Sequence, residues 1–287
     1  MEQGNNVYSI EGVQDFFPAH VFDCGQCFRW QRQADGSYTG IAGGRIANVS
    51  YVPYEEENAG AGGRLVIRNC TAEDFEKFWR QYLDLDRNYG KIKRKLCRGD
   101  QAMKKAVRFG WGIRILQQEL WETIVSFIIS QNNHIPRIKG CIENLAELFG
   151  DEAGSFDGKT WYNLPSPERL ASLTVEDLAP VKLGYRAKYL IETARVIARD
   201  GLPRNAQQLA ALPGVGPKVA ACILLFGMGQ YEAFPIDVWM ARVMHQLYGV
   251  EEKNRRAMET YASQHFGCLG GFAQQYLFYY MKGLDQR

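Results

Sequence analysis

Lys218 stands where a lysine can do chemistry. It closes the string Leu212-Pro213-Gly214-Val215-Gly216-Pro217-Lys218, in which two glycines flank one apolar residue. Glycines permit a tight hairpin with its backbone N–H groups exposed. Pro217 suits the first position of a following helix, and free N–H groups at a helix start form an anion site that suits a phosphate. A lysine there can supply the nucleophilic amine that Schiff-base chemistry needs. The second candidate is Asp237, in Phe234-Pro235-Ile236-Asp237-Val238-Trp239. Asp before a helix is a favoured N-cap. A carboxylate there can also accept a proton or stabilise a developing oxocarbenium ion, and the two roles are compatible.

The chain can bring the two together. A helix of about 10 residues after Lys218 rises roughly 15 Å. The loop over 227–236 reaches roughly 33 Å at most, enough to return Asp237 to the helix start.

Other elements must hold this pair in place. Strand-like stretches at 7–10, 28–33, 45–52 and 64–68 alternate with Gly/Asp/Ser clusters, which predicts an antiparallel sheet with hairpins. Thr71 can cap a helix whose Phe75, Phe78, Trp79 and Tyr82 recur at helical spacing. From about Lys104 the pattern is helical, with helices expected over 117–131, 135–149, 185–200, 217–226, 238–248, 255–266 and 271–282. The longest loop is expected over 150–167. The fold class is therefore α+β: an N-terminal antiparallel sheet domain with helices (1–103), then an all-α domain (104–287).

Composition narrows the class. The 287 residues are 46% hydrophobic and 23% charged, which excludes a disordered, collagen-like or mucin-like chain. A net charge of +2 neither demands nor excludes nucleic acid. Residues 87–114 carry ten cations against one acid, Asp100, and read either as a phosphate-facing surface or as a solvated helix face. The seven cysteines are odd in number and do not suggest a disulfide framework. The polar N-terminus lacks a secretory signal, and no apolar run is long enough for a membrane span. An intracellular protein is expected, cytoplasmic (nucleoid) if bacterial. His20, His134, His245 and His265 show no zinc-ligand spacing, and Cys24-Gly25-Gln26-Cys27 is a lone C-x-x-C. No catalytic metal is expected.

Four further segments carry a resemblance: Gly25-Gln26-Cys27-Phe28-Arg29-Trp30, Ser126 to Asn133, Leu183-Gly184-Tyr185-Arg186-Ala187-Lys188-Tyr189, and Phe272-Ala273-Gln274-Gln275-Tyr276-Leu277-Phe278. With the hairpin, Lys218 and Asp237, they resemble the 8-oxoguanine DNA glycosylase family of the helix–hairpin–helix superfamily over nearly the whole chain. The resemblance implies excision of 8-oxoguanine opposite cytosine from duplex DNA, followed by strand nicking. It implies that Lys218 is the nucleophile and that Asp237 stabilises charge at the sugar. The Gly25 carbonyl would accept the N7–H that guanine lacks, Gln274 would read the Watson–Crick edge, and Cys222 and Phe278 would sandwich the base. Asn132, Arg137 and Arg186 would hold the orphaned cytosine, with Tyr185 as the wedge and Gly214 and Gly216 gripping a phosphate. It further implies no cofactor, with a structural alkali cation at the hairpin at most; a monomer is expected.

Alternatives remain at this stage. Phe278 and Cys222 lie on helical faces and also suit a core. Arg137 and Arg186 also suit phosphate contact or solvent. Trp239 replaces a histidine common in the family, which puts a flanking phosphate contact in doubt, and Pro217 stands for a common threonine. Only Cys268 follows Cys222, so the iron–sulfur loop of related glycosylases cannot form. The rival readings are an alkylpurine glycosylase of the same fold and a non-catalytic helix–hairpin–helix DNA-binding protein.

Overall fold

Residues 6–55 and 62–285 are described by the computed structural model. Strands β1 (Val7–Val13), β2 (Trp30–Arg32), β3 (Tyr38–Ala42), β4 (Arg45–Pro53) and β5 (Gly63–Arg68) form one antiparallel sheet in the order β1-β5-β4-β3-β2. The sequence pattern missed β3. All five of its residues are buried, so it lacks the alternation that marks a half-exposed strand. Gly43-Gly44 joins β3 to β4, with φ of 54° and 70°. Such turns match the twist of a hairpin, and only glycine adopts them without strain.

Alternation sorts the sheet into two faces. Tyr38, Val49, Leu65 and Ile67 point to a core that they share with Phe16, Phe22, Trp30 and Trp79. Ile41 and Ile46 point the other way and receive Trp161. That tryptophan belongs to a second hairpin, β6 (Glu152–Phe156) and β7 (Lys159–Tyr162), inside the stretch expected to be loop. The signal was present in Asp157-Gly158, both at positive φ (48° and 76°), since Asp-Gly between short strands marks a two-residue hairpin.

Helix α1 (Pro18–Phe22) precedes β2. The run after Thr71 consists of α2 (Ala72–Asp74), a π-helical turn (Phe75–Trp79) and α3 (Arg80–Tyr82), opened by a Thr71/Asp74 capping box. Then come α4 (Tyr89–Leu96), α5 (Gln101–Phe109), α6 (Leu120–Ile129), α7 (Ile135–Phe149), α8 (Pro167–Ala171), α9 (Arg186–Asp200) and α10 (Ala206–Ala210). The chain finishes with α11 (Pro217–Gly227), α12 (Val238–Tyr248), α13 (Arg255–Phe266) and α14 (Gly270–Asp285). Helix α7, α12 and α13 match their expected bounds. Each starts on a side-chain cap, from His134, Asp237 and Asn254 respectively. The helical pattern starts earlier than expected, and the division at 103/104 falls inside α5.

These helices surround a second, larger core. Phe28 packs in it, whereas Trp30 packs in the sheet core. The segment carrying Gly25 therefore runs between the two cores. Gln26 pins it: its Nε2 donates to the carbonyls of Val21 (2.8 Å) and Arg114 (2.7 Å), and its Oε1 accepts from Leu116 N (2.9 Å).

The basic stretch divides in two. Arg114 is buried and donates to the carbonyls of Asp15 (3.0 Å) and Gln14 (2.7 Å), with its guanidinium 4.6 Å from the Tyr89 ring centroid. Arg87 pairs with Asp84, and Lys93 pairs with Asp15. Arg114 and Lys93 thus tie the residues after β1 to the helical part, and Arg87 reaches Tyr231 OH (3.0 Å). Lys91, Arg94, Lys95, Arg98, Lys104, Lys105 and Arg108 are exposed. Replacing Arg114 by Met would leave several buried carbonyls unpaired. The expected loss is about 3 kcal/mol or more of unfolding free energy in urea, and an unchanged midpoint would refute the anchoring role. Among the described residues no helix is long and apolar enough to cross a membrane.

Candidate active site

The hairpin before α11 is built as its glycines require. Gly214 has φ of 75° and packs on Tyr189. Its carbonyl accepts from Gln131 Nε2 (2.9 Å), and the Pro213 carbonyl accepts from Thr193 Oγ1 (2.7 Å). Val215 is buried and anchors the turn. Helix α11 opens at Gly216 and Pro217 with no side-chain cap, so its first N–H groups are available to an anion. A Cβ on Gly214 would sit 2.6 Å from Tyr189 Cβ, whereas one on Gly216 would meet nothing within 4 Å. Gly214→Ala should therefore cost about 2 kcal/mol or more of stability. Gly216→Ala should stay within about 0.5 kcal/mol yet weaken duplex binding, because its methyl stands where a phosphate would approach. Urea titration and a binding isotherm separate the two, and equal stabilities would refute the account.

Lys218 is the second residue of α11, and its ammonium lies 5.3 Å from the Phe127 ring centroid. Asp237 caps α12 by accepting from Met240 N (2.8 Å). The loop between the helices is held by Phe234, stacked 5.8 Å from Phe266, and by buried Ile236. Lys218 and Asp237 line one cleft of about 550 Å³, together with Gly25, Phe127, Trp239 and Phe278. Adjoining it, with Gly25, Phe127, Lys218, Asp237 and Phe278 in common, is a recess of only about 40 Å³ that Cys222 and Gln274 also line. Six of the expected site residues thus line the cleft or its recess: Gly25, Lys218, Cys222, Asp237, Gln274 and Phe278, with Trp239 also on the cleft wall.

Their electrostatics are consistent with a dry recess. Burial raises the Cys222 thiol, as does Asp237, while the Lys218 ammonium beside it pulls the other way. Burial pushes Cys24 up to about 12 and Cys27 well above the ordinary thiol value. Neither offers a thiolate at neutral pH, so the C-x-x-C is packing rather than redox chemistry. Gly25, with φ of 82°, faces Phe278: a Cβ there would be 3.1 Å from Phe278 Cε1. The Gly25 carbonyl accepts no hydrogen bond from any described residue.

A second group assembles outside the cleft lining. Tyr185 is 53% exposed at the start of α9, edge-on to Tyr189. Asn132 is exposed with φ of 45°. Arg137 is exposed and makes one 3.3 Å bond to the Lys182 carbonyl. Arg186, expected to hold the orphaned cytosine, is engaged within the protein. It is buried, and its donors reach the carbonyls of Gln131 (Nε, 2.7 Å), Asn132 (2.8 Å) and Leu183 (3.1 Å). It holds the loop that carries Asn132 and lies under the Tyr185 ring, 4.6 Å from its centroid.

Sequence reasoning assigned nothing to Ser130, Asn133, His134 or Lys282, which line the cleft, or to Gln275, which lines the recess. Lys282 donates to the Asp23 carbonyl (3.3 Å), and burial lowers its ammonium's pKa. Its place four residues beyond Phe278 on one helix was the available signal. Among the described residues no three His, Cys, Asp or Glu side chains could jointly hold a metal ion.

Comparison with known proteins matches this geometry. Residues 10–124 fit the N-terminal domain of 8-oxoguanine DNA glycosylase, and residues 125–266 fit the HhH-GPD superfamily of base excision DNA repair proteins. The chain is 34% identical over 196 residues to a probable N-glycosylase/DNA lyase of Methanothermobacter thermautotrophicus, covering 58% of this chain and 62% of that protein. It is 30% identical over 270 residues to the N-glycosylase/DNA lyase of Saccharomyces cerevisiae, covering 84% and 70%. The Clostridium acetobutylicum 8-oxoguanine glycosylase/lyase, solved with double-stranded DNA containing cytosine opposite 8-oxoguanine, superposes with a TM-score of 0.89 at 39% identity, over 98% of this chain and 99% of that one. The chain belongs to the 8-oxoguanine DNA glycosylase family, within the HhH-GPD superfamily of base excision DNA repair proteins.

Proposed function

We propose that the protein excises 8-oxoguanine opposite cytosine from duplex DNA and then nicks the strand. The observation that carries this reading is the shared lining of Lys218, Asp237, Gly25 and Phe278 in one cleft. The uncapped start of α11 grips a phosphate, and Tyr185 fills the hole left by the flipped nucleotide. The recess is too small for a purine as it stands, so Phe278, only partly buried, swings toward the cleft to admit the base. The Lys218 amine attacks C1′ as the glycosidic bond breaks, and that electron pair leaves with the base. Asp237 stabilises the positive charge on the sugar. Loss of a proton and ring opening give the Schiff base. Removal of a C2′ proton then expels the 3′ phosphate.

Selectivity rests on the unpaired Gly25 carbonyl. With guanine it would face the N7 lone pair and stay unpaired, which costs about 1–3 kcal/mol. In this reading Asn132, Arg137 and Arg186 hold the orphaned cytosine; the exposure of Arg137 and Asn132 supports it, and Arg186 also braces the loop that carries Asn132. The proposal needs no cofactor. A structural alkali cation enters it only at the hairpin, a turn already held by the hydrogen bonds from Gln131 and Thr193. The protein acts as a monomer in this reading.

Borohydride trapping tests it. A duplex with one 8-oxoguanine opposite cytosine should yield a covalent adduct and a nicked strand, and an undamaged duplex neither. Tight binding without adduct would favour the passive binder. Release of 3-methyladenine without adduct would favour the alkylpurine glycosylase.

A further inference from the structure

Gln275 is almost fully buried at 2% exposure, yet its amide is only half satisfied. Its Nε2 donates to Gln274 Oε1 at 2.8 Å, and its own Oε1 has no partner. Among the described residues only two other buried side-chain polar atoms lack a partner, Trp161 Nε1 and Tyr276 OH, and neither residue lines the recess. Gln275 does line it, beside Gln274, Gly25 and Phe278. An unpaired buried acceptor is costly and calls for an explanation.

The two amides are joined head to tail. Gln274 Nε2 has no partner among the described residues and offers a donor. Gln274 Oε1 keeps one lone pair after accepting from Gln275, and Gln275 Oε1 keeps both. The pair therefore displays the free N–H donors of Gln274 Nε2 and two acceptor atoms, Gln274 Oε1 and Gln275 Oε1. The Watson–Crick edge of an oxidised guanine displays the complement: the O6 acceptor, the N1–H donor and the exocyclic amino donor.

We infer that Gln275 is a specificity-determining residue that accepts a hydrogen bond from the exocyclic amino group of the flipped base, while Gln274 serves O6 and N1–H. The inference rests on the functional reading above. It assigns the amino group to an atom that is otherwise buried without a partner, so a base lacking that group leaves the atom unpaired after binding as before.

The test compares two lesions in the same duplex opposite cytosine: 8-oxoguanine, and 8-oxohypoxanthine, which lacks only the exocyclic amine. Single-turnover excision by the wild-type protein should favour 8-oxoguanine by roughly tenfold or more. Gln275→Leu should lose about tenfold on 8-oxoguanine, change little on 8-oxohypoxanthine and so erase the preference. Equal wild-type rates on the two bases would overturn the inference without any variant. An equal fall on both bases in Gln275→Leu would overturn it too, because that is the mark of a residue that only braces Gln274. If the wild-type protein excises neither base, the functional reading fails and takes this inference with it. Excision with no preference refutes the inference alone.

Discussion

Lys218→Gln should abolish the borohydride-trapped adduct and lower single-turnover base release by about 10³-fold or more. The fold should survive. Lys218 lies at the first turn of α11 and makes no ion pair among the described residues, and glutamine is nearly as good a helix former as lysine. The substitution removes the amine and little else: the hairpin, the uncapped N–H groups and the cap at Asp237 all remain. Duplex affinity should therefore stay within a few-fold of the wild type, since one phosphate-side charge is lost among several contacts. Adduct in the variant would move the nucleophile elsewhere in the cleft, with Lys282 the next amine to examine. Loss of binding in step with activity would make Lys218 a grip and not a nucleophile.

Asp237 permits a cleaner separation, because its capping and its charge can be removed independently. Asn is as good an N-cap as Asp. Asp237→Asn should keep the bond to Met240 N and unfold within about 0.5 kcal/mol of the wild type. It cannot offset a cation at the sugar or take a proton, so excision should fall about 10²–10⁴-fold. Asp237→Ala should add a stability loss of about 1 kcal/mol to the same catalytic defect. The paired measurement is a urea titration and a single-turnover time course on both variants. If activity tracks stability across the two, Asp237 is a cap and nothing more. If the asparagine variant is stable and inactive, the carboxylate charge is what the reaction uses.

How much of this could be read from sequence depended on how local the cause was. The hairpin, Pro217 and Asp237 declare themselves within a few residues, and so do the starts of α7, α12 and α13, because caps are short-range chemistry. Strand β3 was missed because burial on both faces erased its period. The β6–β7 hairpin was missed although Asp157-Gly158 announced it. Arg114 was misread as a surface charge because its partners lie about 100 residues away at Gln14 and Asp15. Arg186 showed the reverse problem. Its position was legible, but the carbonyls of Gln131 and Asn132 that occupy it come from another helix end. Gln275 had no local signal at all. Its meaning appears only when α14 is seated against the Gly25 segment.

That seating has a consequence for the protein during its synthesis. The ribosome makes the Gly25 segment early, Lys218 and Asp237 later, and α14 after every element that α14 touches. If the proposed roles hold, a nascent or truncated chain would carry the amine of Lys218 without the amides of Gln274 and Gln275. The burial of Phe272, Ala273, Tyr276 and Leu277, each at 2% exposure or less, closes that route. Without them the helical core lacks one wall, and α5 and α12 lose the helix they pack against. Large apolar truncations of this kind exceed the stability of an ordinary domain. On the proposed reading, the amine therefore becomes positioned only when its selector is already in place, and a half-made chain has no folded form in which to act without selection.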